Sequence, residues 1–62
     1  MHDANEIIDG FFVIRQDMQT MRVELSRYGE IVKRIQPGRV LSMDELHDML
    51  IKERTEMFFE GV

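Results

Sequence analysis

Asp44 and His47 come closest, by residue type and spacing, to a site that could do chemistry. They are three positions apart, which on a helix matches the Glu-x-x-His pairs of di-iron four-helix bundles, and a dimer would supply two such pairs. The helix dipole alone also favours a carboxylate at the start of a helix, which accounts for Asp44 without a metal. We therefore predict no cofactor. A di-metal four-helix bundle is kept as one alternative function, beside the two that are introduced below.

Nucleophilic catalysis has little support in this chain. There is no cysteine, and the serines are Ser26 and Ser42, of which Ser42 is expected to cap a helix. An activated serine or cysteine needs a neighbouring base, and the central part of the sequence offers only His47. The four glycines are scattered singly and form no phosphate-binding loop. We predict that the protein is not an enzyme.

The charges are unevenly distributed along a chain whose net charge is −4. Between residues 27 and 39 a single carboxylate, Glu30, accompanies four cations, namely Arg27, Lys33, Arg34 and Arg39. Such a stretch could bind phosphates, and a dimer would double it. However, Asp44, Glu45 and Asp48 crowd the start of the following helix, which a major-groove reader would present to DNA. A dimeric nucleic-acid-binding regulator is therefore the alternative function.

Apolar residues recur at alternating spacings of four and three along the first half of the chain. This spacing is typical of the seam of a long packed helix, so we predict one helix from about residue 5 to residue 35, with a possible break at Gly29. The seam residues are Ile7, Phe11, Ile14, Met18, Met21, Leu25, Tyr28 and Val32.

A second helix is predicted over residues 42–60. Ser42 and Glu45 have the spacing of a capping box, and Leu41 and Leu46 occupy the positions of a hydrophobic staple. Pro37 and its neighbours at 36–41 indicate a turn. The expected fold is all-α, a single domain over residues 1–62 in which a long and a short helix form an antiparallel hairpin.

The short second helix would leave much of the first helix uncovered. We therefore expect a homodimer, either coiled-coil-like or a four-helix bundle, and binding of another protein. Phe12 and Val13 lie off the seam, and Phe58 and Phe59 form a second apolar pair, so these four are the candidate partner contacts. The predicted function is that of an adaptor, inhibitor or regulatory subunit.

Composition indicates the cellular compartment in which the protein is expected. A chain of 62 residues without cysteine cannot use disulfides and fits a reducing compartment. No apolar run approaches the roughly 18 residues that a membrane-spanning helix needs. We expect a cytoplasmic protein that does not enter a membrane.

Overall fold

Residues 5–35, which the apolar spacing assigned to one long helix, instead form an antiparallel sheet. A computed structural model describes residues 4–60, with side chains for residues 5–59, as four strands followed by one helix. The elements are β1 (Ala4–Asp9), β2 (Phe12–Asp17), β3 (Val23–Arg27), β4 (Glu30–Ile35) and α1 (Met43–Glu60). The strand order is β1-β2-β3-β4, so each strand pairs with its neighbour in sequence. The prediction of an all-α helical hairpin is therefore wrong.

Two tight turns show why this segment is a sheet. Gly10 and Phe11 connect Asp9 to its cross-strand partner Phe12, and the positive φ of Gly10, 64°, suits the first central position of a type II′ turn. Tyr28 and Gly29 connect β3 to β4 with φ values of 55° and 84°, and a type I′ turn requires positive φ at both positions. Both turns match the twist of the strands. The first sets the register of the β1–β2 hairpin, whereas the β3–β4 register shifts by one residue at an irregularity between Leu25 and Ser26.

The middle connection is held by a side chain. Asp17 Oδ1 accepts hydrogen bonds from the backbone N–H groups of Gln19, at 2.8 Å, and Thr20, at 3.3 Å. Because these bonds favour the charged carboxylate, they hold the pKa of Asp17 below its usual value. Asp17 thus organises the loop between β2 and β3.

The strands bury alternate residues, as period-two patterning requires. In β2, Phe12, Ile14 and Gln16 are buried while the residues between them are more exposed. We call the buried side the inner face and the other side the outer face. The helix covers the inner face, and the apolar core consists of Phe12, Ile14, Val23, Leu25, Leu41, Leu46 and Leu50.

The helix begins at a formed capping box. The N–H of Glu45 donates to Ser42 Oγ at 3.2 Å, and the N–H of Ser42 donates to Glu45 Oε1 at 2.9 Å. Arg39 also pairs with Glu45, and its guanidinium is the main reason that the pKa of Glu45 falls to about 2. Residue 45 therefore joins the preceding loop to the first turn of α1.

The coiled-coil seam does not exist, because its members belong to different parts of the sheet. Ile14 and Leu25 are in the core and Ile7 packs against it, whereas Phe11 and Tyr28 are exposed in turns. Met18 and Met21 belong to the loop between β2 and β3, and Val32 to the edge strand β4. Residues 4–60 therefore form neither the predicted coiled coil of long helices nor a four-helix bundle of two helical hairpins. Within residues 4–60, no helix combines the length and apolar character needed to cross a membrane.

Candidate protein-interaction site

The residues considered for metal binding lie at the start of α1. Asp44 and His47 are both exposed. Among residues 4–60 there is no group of three or more histidine, aspartate or glutamate side chains that could hold a metal ion. The i, i+3 pair is therefore not joined by a third ligand in the described part of the chain.

The four cations of residues 27–39 do not form one surface. Lys33 and Arg34 are adjacent on β4 and their cross-strand partners, Leu25 and Glu24, lie on opposite faces of the sheet. Lys33 Nζ contacts both carboxylate oxygens of the largely buried Glu53 at 2.9 Å, and Arg34 Nε lies 3.4 Å from Glu24. The other two are Arg39, paired with Glu45, and Arg27, which is exposed at the end of β3.

A groove with aromatic walls lies between the β1–β2 turn and the C-terminal half of α1. We call it the aromatic groove, and it is lined by Asp9, Gly10, Phe11, Phe12, Arg54, Thr55 and Phe58. A Cβ placed on Gly10 would meet no atom within 4 Å, so the groove is open at the turn.

Ring contacts fix the shape of the groove. The buried Phe12 and the exposed Phe58 meet edge to face, with ring centroids 6.1 Å apart and planes at 67°. Phe11 stacks on Tyr28 at 4.8 Å, so the two tight turns support each other at the same end of the sheet. Phe11 and Phe58 remain 64% and 65% exposed. The groove therefore offers two large apolar rings to solvent.

One wall of the groove is charged. Arg54 of α1 pairs with Asp9 at the end of β1, and about a third of each side chain remains accessible. This pair ties the helix to the edge strand and leaves polar atoms at the rim of an otherwise apolar surface. Sequence analysis missed both residues. The signal for Asp9 is the glycine that follows it, because glycine at the first central position of a two-residue loop between apolar runs is typical of a type II′ hairpin turn.

The predicted partner contacts are dispersed. Phe58 lines the aromatic groove, and Phe12 forms its floor from within the core. Phe59 is 76% exposed but is not part of the groove lining, and Val13 lies half-buried on the outer face. The two neighbouring phenylalanines of α1 can therefore be tested separately.

The outer face carries two rows of side chains that run across the strands. The register places Glu6, Arg15, Glu24 and Arg34 side by side in one row. The adjacent row contains Ile8, Val13, Ser26 and Ile31, and a register shift between Leu25 and Ser26 leaves Val32 without a cross-strand partner between the two rows in β4. α1 packs on the inner face, so these rows are not covered by the helix.

Comparison of the chain with protein-family models, with curated proteins and with solved structures gave no match. The geometry of the described residues is therefore the basis for assigning a function.

Proposed function

We propose that this protein is a small regulator that acts by binding another protein, and that the aromatic groove receives a large apolar side chain of that protein. One observation carries the proposal. A shallow, open groove between the β1–β2 turn and α1 is lined by Phe11, Phe12 and Phe58, and two of these rings are about two-thirds exposed. Interface hot spots are typically aromatic anchors packed in such pockets.

The energy available from covering these rings is substantial. Exposed rings of this size would each lose on the order of 100 Å² of apolar surface on binding, which is worth about 2–3 kcal/mol per ring. Phe12 is already held in the core, so the floor of the groove is ordered before binding. A preorganised apolar floor reduces the entropy lost on association.

The charged rim would supply orientation. Arg54 has five N–H donors and Asp9 cannot accept all of them, so donors remain for a carbonyl or carboxylate of the partner. Because the ion pair is only partly buried, it can exchange hydrogen bonds without a large desolvation cost. The favoured ligand is thus a protein segment with a bulky apolar side chain next to an acceptor group.

Nucleic-acid binding has less support. Lys33, Arg34 and Arg39 already contact carboxylates of the same chain, which reduces the charge available to phosphates. The rim of the aromatic groove also contains a carboxylate, Asp9. No feature of the described surface specifically favours a phosphate backbone.

Site-specific photocrosslinking tests the proposal. Benzoylphenylalanine is placed at position 58 or, as the matched control, at position 59, in cells that produce the protein. We expect a defined adduct with one protein from position 58, and loss of that adduct when Phe11→Ser is added. The same protein set from both positions, or an adduct destroyed by nuclease, would overturn the groove as the protein-binding site.

The purified partner allows a quantitative prediction. Phe58→Ser should weaken binding by about 30-fold, as expected for loss of a hot-spot ring worth about 2 kcal/mol. Phe59→Ser should change the dissociation constant by less than about threefold, because that ring does not line the groove. Isothermal titration calorimetry measures both values. Equal losses for the two variants would contradict the assignment.

A further inference from the structure

The charges on the outer face form a row that would pair favourably with a second copy of the same row running in the opposite direction. Across the sheet from β1 to β4, the charged row reads Glu6, Arg15, Glu24, Arg34, so the signs alternate from negative to positive. Within the chain, Arg15 Nη2 and Arg34 Nε each lie 3.4 Å from a carboxylate oxygen of Glu24. Read from β4 to β1, the same row has the opposite sign at every position.

This pattern determines what a matching surface looks like. Consider a second copy placed face to face, related by a two-fold axis that runs parallel to the strands between β2 and β3. The rotation lays β1 on β4 of the copy and β2 on β3 of the copy. Glu6 then faces Arg34 of the partner subunit, and Arg15 faces Glu24 of the partner subunit. Every charge in the row meets an opposite charge.

The apolar row obeys the same symmetry. The rotation brings Ile8 over Ile31 of the partner subunit and Val13 over Ser26 of the partner subunit. Ile8 is 67% exposed and Ile31 is 43% exposed, so both have apolar surface to bury. Isologous interfaces require this kind of self-complementarity, in which each contact occurs twice.

Other arrangements of two outer faces lose the match. A two-fold axis perpendicular to the strands sets each strand against itself. If that axis passes through the charged row, Glu6 meets Glu6 of the partner subunit and Arg15 meets Arg15 of the partner subunit. If the axis lies between the rows, the charged side chains are buried against isoleucines and have no oppositely charged partners. Burying unpaired charges costs free energy.

We propose that the outer face binds a second copy of this chain about a two-fold axis parallel to the strands. Four strands spaced about 4.8 Å apart make a face only about 19 Å wide, so the buried area falls at the low end of protein interfaces. The dimer is therefore weak and depends on concentration. This surface is separate from the aromatic groove, and either assignment can fail without the other.

Sedimentation velocity tests the proposal, with concentration raised from about 10 µM to about 1 mM so that a weak dimer is populated. We expect wild-type protein to shift from monomer to dimer over this range. Arg15→Glu and Glu24→Arg should each weaken the dimer at least about tenfold, because each sets two pairs of like charges together. A wild-type protein that stays monomeric to about 1 mM would overturn the proposal.

Mixing the two single variants provides the decisive step. In the mixed pair, the acidic side chain introduced at position 15 of one variant faces the basic side chain introduced at position 24 of the other. The unchanged Glu24 of the first variant faces the unchanged Arg15 of the second, so all central contacts become attractive. The mixture should form a heterodimer at a concentration at which each variant alone is mostly monomeric.

Repair of the contact within one chain cannot produce this result, since neither variant chain regains its own Arg15–Glu24 pair. Heterodimer formation would therefore report contacts between chains. A mixture that remains monomeric would overturn the proposed axis.

A variant without charge changes guards against misfolding of the swapped chains. Ile8→Ser removes exposed apolar surface from the edge strand β1 and should weaken the dimer about tenfold. Phe59→Ser removes a more exposed ring from a different surface and should leave the dimer unchanged. Circular dichroism checks the fold of each variant. Equal dimerisation by wild type and Ile8→Ser would exclude the outer face.

Discussion

Gln16 is a polar residue buried in the core, and it holds the loop before α1 against the sheet. Its side chain is fully buried, donates from Nε2 to the carbonyl oxygen of Leu41 at 3.0 Å, and accepts at Oε1 from the N–H of Leu41 at 2.7 Å. A single amide side chain thus satisfies both backbone groups of the residue that brings the chain to the helix. Buried polar groups satisfied in this way favour one arrangement of the core.

Replacing Gln16 by leucine should be clearly destabilising. The new side chain fits an apolar site but leaves the N–H and C=O of Leu41 without partners, so we expect a loss of about 2 kcal/mol in the free energy of unfolding. Urea titration followed by circular dichroism measures the change. Gln19→Leu, in the exposed loop, is the control and should change stability by less than about 0.5 kcal/mol. If both variants match the wild type, the Gln16–Leu41 contact does not stabilise the fold.

Glu45 predicts a particular acid sensitivity. Its pKa is lowered from 4.5 to about 2, first by the hydrogen bond from Arg39 and then by the N–H of Ser42. A lowered carboxylate pKa adds stability that is complete above pH 4.5 and is lost as the pH falls towards 2. Thermal unfolding of Glu45→Gln should therefore depend less on pH across this window than unfolding of the wild type. The effect should be partial, because the pKa of Asp17 is lowered as well.

At the scale of elements, β4 and α1 are joined by the contact between Lys33 and Glu53. Glu53 is largely buried, whereas the Lys33 side chain is about half exposed. Lys33→Met should lower the free energy of unfolding by about 1–2 kcal/mol, because the Glu53 carboxylate loses its contact with the Lys33 ammonium group. Solvent around the exposed part of the pair reduces this loss. Chemical denaturation measures this value.

The double variant Lys33→Met/Glu53→Leu separates charge from packing. Replacing both partners by apolar side chains removes the unpaired charge, so its stability should recover towards that of the wild type. A double-variant loss equal to the sum of the two single losses would show that the pair contributes no coupling energy.

The helix was predicted correctly from the sequence, and the sheet was not. The capping box at Ser42 and Glu45 is local chemistry, and it forms as its spacing indicated. The seven-residue spacing of Ile7 and Ile14 matches a helical heptad. In the fold these residues are cross-strand partners on either side of a two-residue turn, which also separates them by seven. Cross-strand partners in such a hairpin can therefore have the same seven-residue spacing as a helical heptad.

Local signals for strands were present in the same segment. Gly10 in a helix interior would cost about 1 kcal/mol, whereas after Asp9 it favours a tight turn. The candidate site was harder to predict, because Asp9 and Arg54 are 45 positions apart and only the packing of α1 brings them together. Phe58 and Phe59 are candidate contacts from the sequence as a pair of neighbouring apolar residues, but the groove beside Phe58 depends on tertiary contacts.

For the whole molecule, the small size of the apolar core determines how strongly one substitution affects stability. Among the described residues, seven apolar side chains are buried; Leu46 and Leu50 come from α1, and Leu41 comes from the loop before it. A domain of this length has a free energy of unfolding of only about 3–9 kcal/mol. A core substitution that lowers the free energy of unfolding by a few kcal/mol should therefore unfold a measurable fraction of the protein.

Leu50→Ala tests this expectation. The fully buried side chain leaves a cavity when truncated, with a loss of about 3 kcal/mol. We expect a large drop in the melting temperature and, at room temperature, a measurable unfolded population by circular dichroism. Phe59→Ala, on the exposed side of the same helix, should melt within a few degrees of the wild type. Similar melting of Leu50→Ala and wild type would mean that α1 is not packed on the sheet as described.

The order of elements along the chain also has a consequence for biosynthesis. All four strands precede α1, so they leave the ribosome before the helix that covers the inner face. Until then, Ile14, Val23 and Leu25 have no α1 above them. A message truncated between the codons for Ile35 and Met43 would yield the four strand segments without the helix, a product with uncovered apolar side chains that chaperones and quality-control proteases should bind. Ribosome-bound chains of increasing length, probed by limited proteolysis, should become resistant only after Leu50 has emerged.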